Sequence, residues 1–212
     1  MRIVLTAFSA LVFLYPTARR TRADTHPVAC LLEHPTIVSV TIYNRSRLTN
    51  AKLAAIVATA NTLWVPYGVT IEPGSRHGIA VVISPDSPAL AGLATAPVLG
   101  TTSFTDGHAN PYIHLWLGAA EALAGRVDVD RRLAVVPNRQ RDLLLAPVMG
   151  VALAHELAHY LLDTPRHAPD GLLQGAVSLH DLAHPAHDRL FLTVHQQQAL
   201  CTSVSVRNLS RQ

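Results

Sequence analysis

Five consecutive residues, His155-Glu156-Leu157-Ala158-His159, carry the clearest chemistry in this sequence. On a helix, residues four apart share a face, so both imidazoles can meet one metal ion. Glu156 stands one position round from the first histidine. It can reach a water beside the ion rather than the ion itself, and act as that water's general base. The setting matters as much as the spacing. In PVMGVALAHELAHYLL the apolar positions Val151, Ala152, Leu153, Ala154, Leu157, Ala158, Leu161 and Leu162 make a helix that must be buried. Two histidines and a glutamate in such a helix are costly unless they are paired or metallated. On a surface helix the same motif arises by chance at no cost.

Zinc needs a third protein ligand, leaving the fourth position for water. The chain has only four glutamates, Glu33, Glu72, Glu121 and Glu156, so no later glutamate can serve. The downstream candidates are His167, Asp163, Asp170, His180, Asp181, His184, His187 and Asp188. His167 lies eight residues past His159, beyond a helix end expected at Asp163-Thr164-Pro165. A short loop can return it to the open side of the metal, with Gly171 permitting a tight turn beneath. Asp163, four residues past His159 and on the same helical face, is the main local rival. HDLAHPAH at 180–187 suits either a second metal or a polar loop over the site.

The run HELAHYLLDTPRHAPDGLL resembles the metzincin clan of zinc metalloproteases, in particular a small bacterial subgroup with a longer spacer before its third histidine. That subgroup reads H-E-[LI]-G-H-x-L-L-G-x-x-x-H-x-x-x-G-[LI]-M. The resemblance implies His155, His159 and His167 as zinc ligands and Glu156 as catalytic base. It places Gly171-Leu172-Leu173 at the clan's methionine turn. It also implies hydrolysis of peptide bonds in a peptide or protein substrate, the substrate pairing as an extended strand with a sheet edge for which Ile113–Leu117 is the expected segment. Three departures stand out: Ala158 and Asp163 replace glycines, and Leu173 replaces the methionine. Pro165 occupies the position of the third histidine in the clan's shorter spacer, which leaves His167. More loosely, VTIYN, WVPYGVTIEPG and RHGIAVVISPD are similar to the clan's early strands and the return from its first helix.

The elements that must position these residues are an α/β (α+β) set, a small mixed twisted sheet with an active-site helix and a C-terminal helix. Thr36–Tyr43 alternates and is β-branched, hence a strand. Asn50–Trp64 has helical spacing and is broken by Pro66 and Gly68. Val69–Glu72 and the continuous apolar run Ile79–Ile83 are strands, the second suited to a central position buried on both faces. Ser84–Val98 reads as a loop, and Leu99–Phe104, Ile113–Leu117 and Leu133–Val136 as further strands. Val127–Arg131 reads as a turn and Ala119–Ala124 as a short helix. Arg141–Leu162 is the longest helix, with Pro147 either kinking or starting it. His108 is expected in a surface loop, irregular chain over Asp163–His187, and a last helix from Ala186 or Asp188 to about Leu200.

Length and composition bound the rest. At 212 residues, 49% hydrophobic and 15% charged, the chain fits one folded domain and excludes an extended solvated polymer. Arg2, Arg19, Arg20 and Arg22 sit in the first 22 positions, and without them the net charge of +3 becomes −1. Lys52 is the only lysine, and the arginines are scattered, so no nucleic-acid footprint is expected. Ile3 to Tyr15, followed by Pro16 and small residues near Ala23, has the order of a secretory signal peptide over 1–23. It is shorter than the ~20 residues a span needs. Residues 24–212 would then be a single exported, metzincin-like catalytic domain, periplasmic or extracellular, with no stable membrane insertion after cleavage. Two cysteines, Cys30 and Cys201, permit one disulfide or two buried thiols. The leading expectation is a zinc metallopeptidase with Zn2+ as cofactor. The alternative is a catalytically inactive relative, zinc-stabilised or peptide-binding; a metal-free protein with a coincidental motif is a third.

Overall fold

The β-branched alternation of TIVSVTIYN becomes β2, Thr36–Asn44, which buries Val38 and Val40 on one face. In this computed structural model the described residues are 7–10, 35–74, 78–86, 98–125, 128–129, 132–133, 138–185 and 189–209. Helix α1, Asn50–Trp64, starts where the Thr49 side chain accepts from the Lys52 N–H. It ends in a tight turn at Val65–Tyr67, with Gly68 left-handed at φ 69°. Strands β3 (Val69–Pro73) and β4 (Ile79–Ser84) follow, then β5 (Gly100–Thr105) and β6 (His108–Trp116). Helix α2 is Leu117–Ala124, β7 (Asp128–Val129) and β8 (Arg132–Leu133) form a small antiparallel pair, and α3 is Asn138–Leu161. The short α4, Leu179–Ala183, and the terminal α5, Val194–Leu209, complete the fold.

The six-stranded sheet has the order β1-β5-β6-β4-β2-β3, where β1 is Ala7–Ala10. β2, β3, β4 and β6 run parallel; β5 is antiparallel to β6, and β1 to β5. This is a mixed α/β arrangement. β4 is internal, between β2 and β6, and its Val81, Val82 and Ile83 are all buried, as a continuous apolar run requires. β5 and β6 form a hairpin closed by Asp106 and Gly107, both at positive φ (53° and 86°), the geometry that Asp-Gly favours.

Helix α3 crosses the core beneath the sheet. One apolar cluster reaches from Val38 to Leu200 and includes Val148, Met149, Leu153 and Leu157 of α3. The stretch Asp142–Leu161 is long and apolar enough to cross a membrane, but 72% of its most apolar window is buried inside the fold, as in a core helix. α1 packs closely on α3 at Gly150, where a Cβ would stand 2.4 Å from Thr59 Cβ and 2.8 Å from the Ile56 carbonyl oxygen. Trp64 Nε1 donates to the Ala154 carbonyl at 3.2 Å, one residue before His155.

Several expectations need correction. Ile113–Leu117 is not an edge: it falls in β6 and the start of α2, and β6 is flanked by β4 and β5. β5 lies outside β6, and its far side carries β1. His108 opens β6 rather than lying in a loop, because the Asp-Gly turn reverses the chain immediately before it. Pro147 lies inside α3 and does not start it; the carbonyl left without a donor belongs to Leu143, 71% exposed, where solvent can serve. The last helix starts at Val194, not near 186–188, because Thr193 and Gln196 form a reciprocal capping box: the Thr193 N–H donates to Gln196 Oε1 and the Gln196 N–H to Thr193 Oγ1. It also runs past Leu200. α4 interrupts the stretch expected to be irregular. Asp128–Val129, expected as turn, pairs with Arg132–Leu133, while 134–136 lie outside the described residues. So do 87–97 of the expected loop and all of the proposed leader except Ala7–Ala10.

The α1–α3 contact gives a direct test of the packing. Gly150→Ala should lower unfolding free energy by about 1–3 kcal/mol despite its better helix propensity, because the new methyl meets Thr59 and a backbone oxygen. Urea denaturation measures it, and an unchanged midpoint would refute the close approach.

Candidate metal centre

His155 and His159 project from the same face of α3 and are fully buried. Each ring is fixed by its far nitrogen. His155 Nδ1 donates to the Leu172 carbonyl at 2.7 Å, and His159 Nδ1 to the Thr164 carbonyl at 2.7 Å. A carbonyl can only accept, so both Nδ1 atoms carry the proton and both Nε2 atoms present a lone pair. Those two Nε2 atoms face each other 3.0 Å apart.

A hydrogen bond between them would need one ring doubly protonated, and burial opposes that. Desolvation holds His155 well below the ordinary imidazole range, with the neighbouring His159 adding to it, and holds His159 down to about 4. Two neutral lone pairs at this separation repel unless a cation lies between them. The donor set and its orientation therefore fit a metal ion.

The third ring comes from the loop after α3. His167 has its centroid 5.3 Å from that of His155 and 4.9 Å from that of His159. One ligand atom from each of His155, His159 and His167 lies within 4.8 Å of the others. Nitrogens sharing one tetrahedral zinc at ~2.0–2.1 Å stand roughly 3.3 Å apart, so little adjustment is required. Partial burial lowers the His167 pKa also. This is the one such group of three among the described residues.

Local backbone chemistry explains how the loop returns. Asp163 is left-handed, φ 49°, and ends the helix: the Thr164 N–H donates to the His159 carbonyl and the Asp163 N–H to the Tyr160 carbonyl. This is a Schellman cap, and it hands the Thr164 carbonyl back to the His159 ring. After His167, the Ala168 N–H donates to the Leu173 carbonyl, closing a turn through Gly171 at φ 76°. Gly171 is pressed on the Phe191 carbonyl oxygen, 2.3 Å from where a Cβ would stand, and Leu172 and Leu173 are buried. Gly175 backs the His167 ring; its Cβ would stand 3.1 Å from Cγ. One loop thus supplies His167 and orients His155.

Asp163 is otherwise committed. Its carboxylate accepts from the Ala109 N–H at 2.6 Å and pairs with His108 Nδ1 at 2.7 Å, joining the β5–β6 hairpin to the end of α3. Asp163 is a tie across the fold rather than a ligand. His180 on α4 and His184 just after it have ring centroids 5.0 Å apart with the rings tilted at 58°, and Asp181 accepts from the Ser178 hydroxyl; neither they nor Asp170 join the group. His187 and Asp188 lie outside the described residues.

Glu156 is also fully buried, and it meets β5. The Thr102 hydroxyl stands 2.8 Å from Glu156 Oε2 and 3.0 Å from the carbonyl oxygen of the same residue. Gly100 leaves room for the side chain, since a Cβ there would stand 2.8 Å from Glu156 Cγ. Glu156 Oε1 is buried without a hydrogen-bond partner among the described residues. Desolvation pushes the Glu156 pKa up to about 8, against the lowering effect of the Thr102 contacts. Sequence reasoning missed Gly100 and Thr102, which lie 54 residues from Glu156 in the case of Thr102 and carry no local motif. A search against family models finds no match, and a search among curated proteins finds none.

Two outcomes follow from this geometry. His167→Ala should lose most bound zinc, whereas Asp163→Ala should keep one equivalent, read by elemental analysis of dialysed protein; the reverse result would exchange their roles. Metal affinity, read by chelator competition, should also begin to weaken below pH 6.5 rather than at it, because burial lowers all three imidazole pKa values and His159 accepts a proton only at about 4. A steep loss centred on 6.5 would contradict the burial argument.

Proposed function

We propose that this protein is an exported zinc-dependent endopeptidase of metzincin-like type. The observation that carries the reading is the opposed pair of neutral Nε2 atoms, 3.0 Å apart, beside a buried carboxylate with one oxygen left unpartnered. His155, His159 and His167 would hold the zinc. Bound there, zinc supplies a Lewis acid that polarises a scissile carbonyl and a water. Glu156 Oε1 would take the proton of the attacking water and later hand it to the leaving amine. Burial supports both halves of that cycle, since it raises the basicity of the carboxylate while a nearby cation favours its ionised form.

The substrate would lie extended along β5, the strand beneath which Glu156 sits. In this chain Ala7–Ala10 occupies the outer side of β5 as an antiparallel strand, Ser9 opposite Thr102. Removal of residues 1–23 as a leader would leave that edge open to a peptide. Export is further supported by Cys201, which is disulfide-bonded; the sequence offers one partner, Cys30, outside the described residues.

The test uses residues 24–212 loaded with zinc and a broad quenched-fluorescence peptide library. Glu156→Gln should keep one equivalent of zinc and lose about 10²–10⁴-fold in kcat. A zinc-replete parent that cleaves no peptide would replace this reading with a catalytically inactive, zinc-stabilised or peptide-binding protein.

A further inference from the structure

A general base of three rotatable bonds works only if its carboxylate is held, and α3 alone does not hold this one. The backbone of α3 fixes Cα of Glu156; the far end of the side chain is met from the opposite side, by β5. Thr102 is a buried hydroxyl on that strand, and among the described residues both acceptors it bonds belong to Glu156: Oε2 at 2.8 Å and the carbonyl oxygen at 3.0 Å. Gly100, two residues earlier, removes the side chain that would otherwise displace Glu156 Cγ. β5 is itself registered on β6, with Thr102 opposite Ile113. The strand therefore presents a gap and a hydroxyl in succession, and the carboxylate lies in the gap with one oxygen bonded and one bare.

We propose that Thr102 is the positioning residue of Glu156: its hydroxyl holds Oε2 against β5, so that Oε1 is the oxygen left for water. This rests on the metallopeptidase reading. A hydroxyl suits the task because it can donate to a carboxylate, and can accept from a carboxylic acid while donating to the Glu156 carbonyl instead. The contact survives whichever form the side chain takes during turnover. A backbone N–H can only donate, so it could not accept from Oε2 when that oxygen carries the proton.

The experiment compares Thr102→Val, which removes the hydroxyl at nearly constant volume, with Thr102→Ser, which keeps it, both as zinc-loaded residues 24–212. T102V should lose about 10- to 100-fold in kcat with KM within about twofold, as expected of a misaligned base. T102S should recover to within about threefold of the parent, and both should keep one equivalent of zinc. Crystal structures of the zinc-loaded proteins give a readout independent of activity: the Glu156 carboxylate should leave its place in T102V and keep it in T102S. If T102V does not fold, Thr102→Ala serves as the hydroxyl-free variant. Unchanged kcat in the hydroxyl-free protein, or a Glu156 carboxylate that stays in place without the hydroxyl, would overturn the assignment. If the parent itself cleaves nothing, the function fails, and the crystallographic comparison alone still decides what Thr102 does.

Discussion

A core helix that carries two imidazoles and a carboxylate sets the terms for the rest of this molecule. α3 is buried by Val148, Leu153, Leu157 and their neighbours, and that burial takes His155, Glu156 and His159 out of water with it. Buried polar atoms must find partners. The solutions come from different parts of the chain. The Leu172 and Thr164 carbonyls take the Nδ1 protons, and Thr102 takes one oxygen of Glu156. What these partners leave over is as informative as what they satisfy: two opposed Nε2 lone pairs and one carboxylate oxygen. A cation beside the lone pairs and a water beside the carboxylate would fit that arrangement.

The loop from Asp163 to Gly175 is shaped by the same constraint. It must end the helix, return a third ring, and place two carbonyls on the first two rings. Asp163 does the first by taking a left-handed conformation that a glycine would adopt more cheaply. Its carboxylate then does something glycine could not, capturing the Ala109 N–H and His108 of the hairpin. A residue that looks unfavourable by local conformation thereby ties the start of β6, and so the hairpin whose other strand meets Glu156, to the end of the helix that carries it. Leu173, standing where the resemblance has methionine, is buried in the floor of the turn and keeps its apolar character.

What the sequence disclosed follows from the range of each interaction. α3, α1 and β4 were legible because their signals are periodic and local, and the three histidines because they lie within thirteen residues of one another. Thr193-x-x-Gln196 and Asp106-Gly107 are equally local signals, a capping box and a hairpin turn, and each marks an element boundary more sharply than composition does. Thr102 and Gly100 were not legible. Their importance is a contact between β5 and α3 that exists only once the sheet order is fixed. The expected edge strand failed for the same reason: apolar content marks Ile113–Leu117 as a strand, but only the pairing shows β5 outside it.

The opposed pKa shifts of His159 and Glu156 would give a metal ion at this site an energetic role as well as a chemical one. His159 accepts a proton near 6.5 when unfolded but only at about 4 when folded, so its contribution to stability is complete above 6.5 and is lost as pH falls toward 4. Glu156 works in the opposite sense. Its proton leaves near 4.5 in the unfolded chain but at about 8 in the fold, so its contribution is complete below 4.5 and is lost as pH rises toward 8. Without a metal the two windows of loss overlap between about 4.5 and 6.5, and no pH satisfies both groups. A divalent cation among the imidazoles removes the conflict from both sides. It occupies the lone pairs that protons would otherwise seek, and its charge favours the carboxylate that burial disfavours. With such a cation bound, the helix could carry its three polar residues through the core as the walls of one charged site.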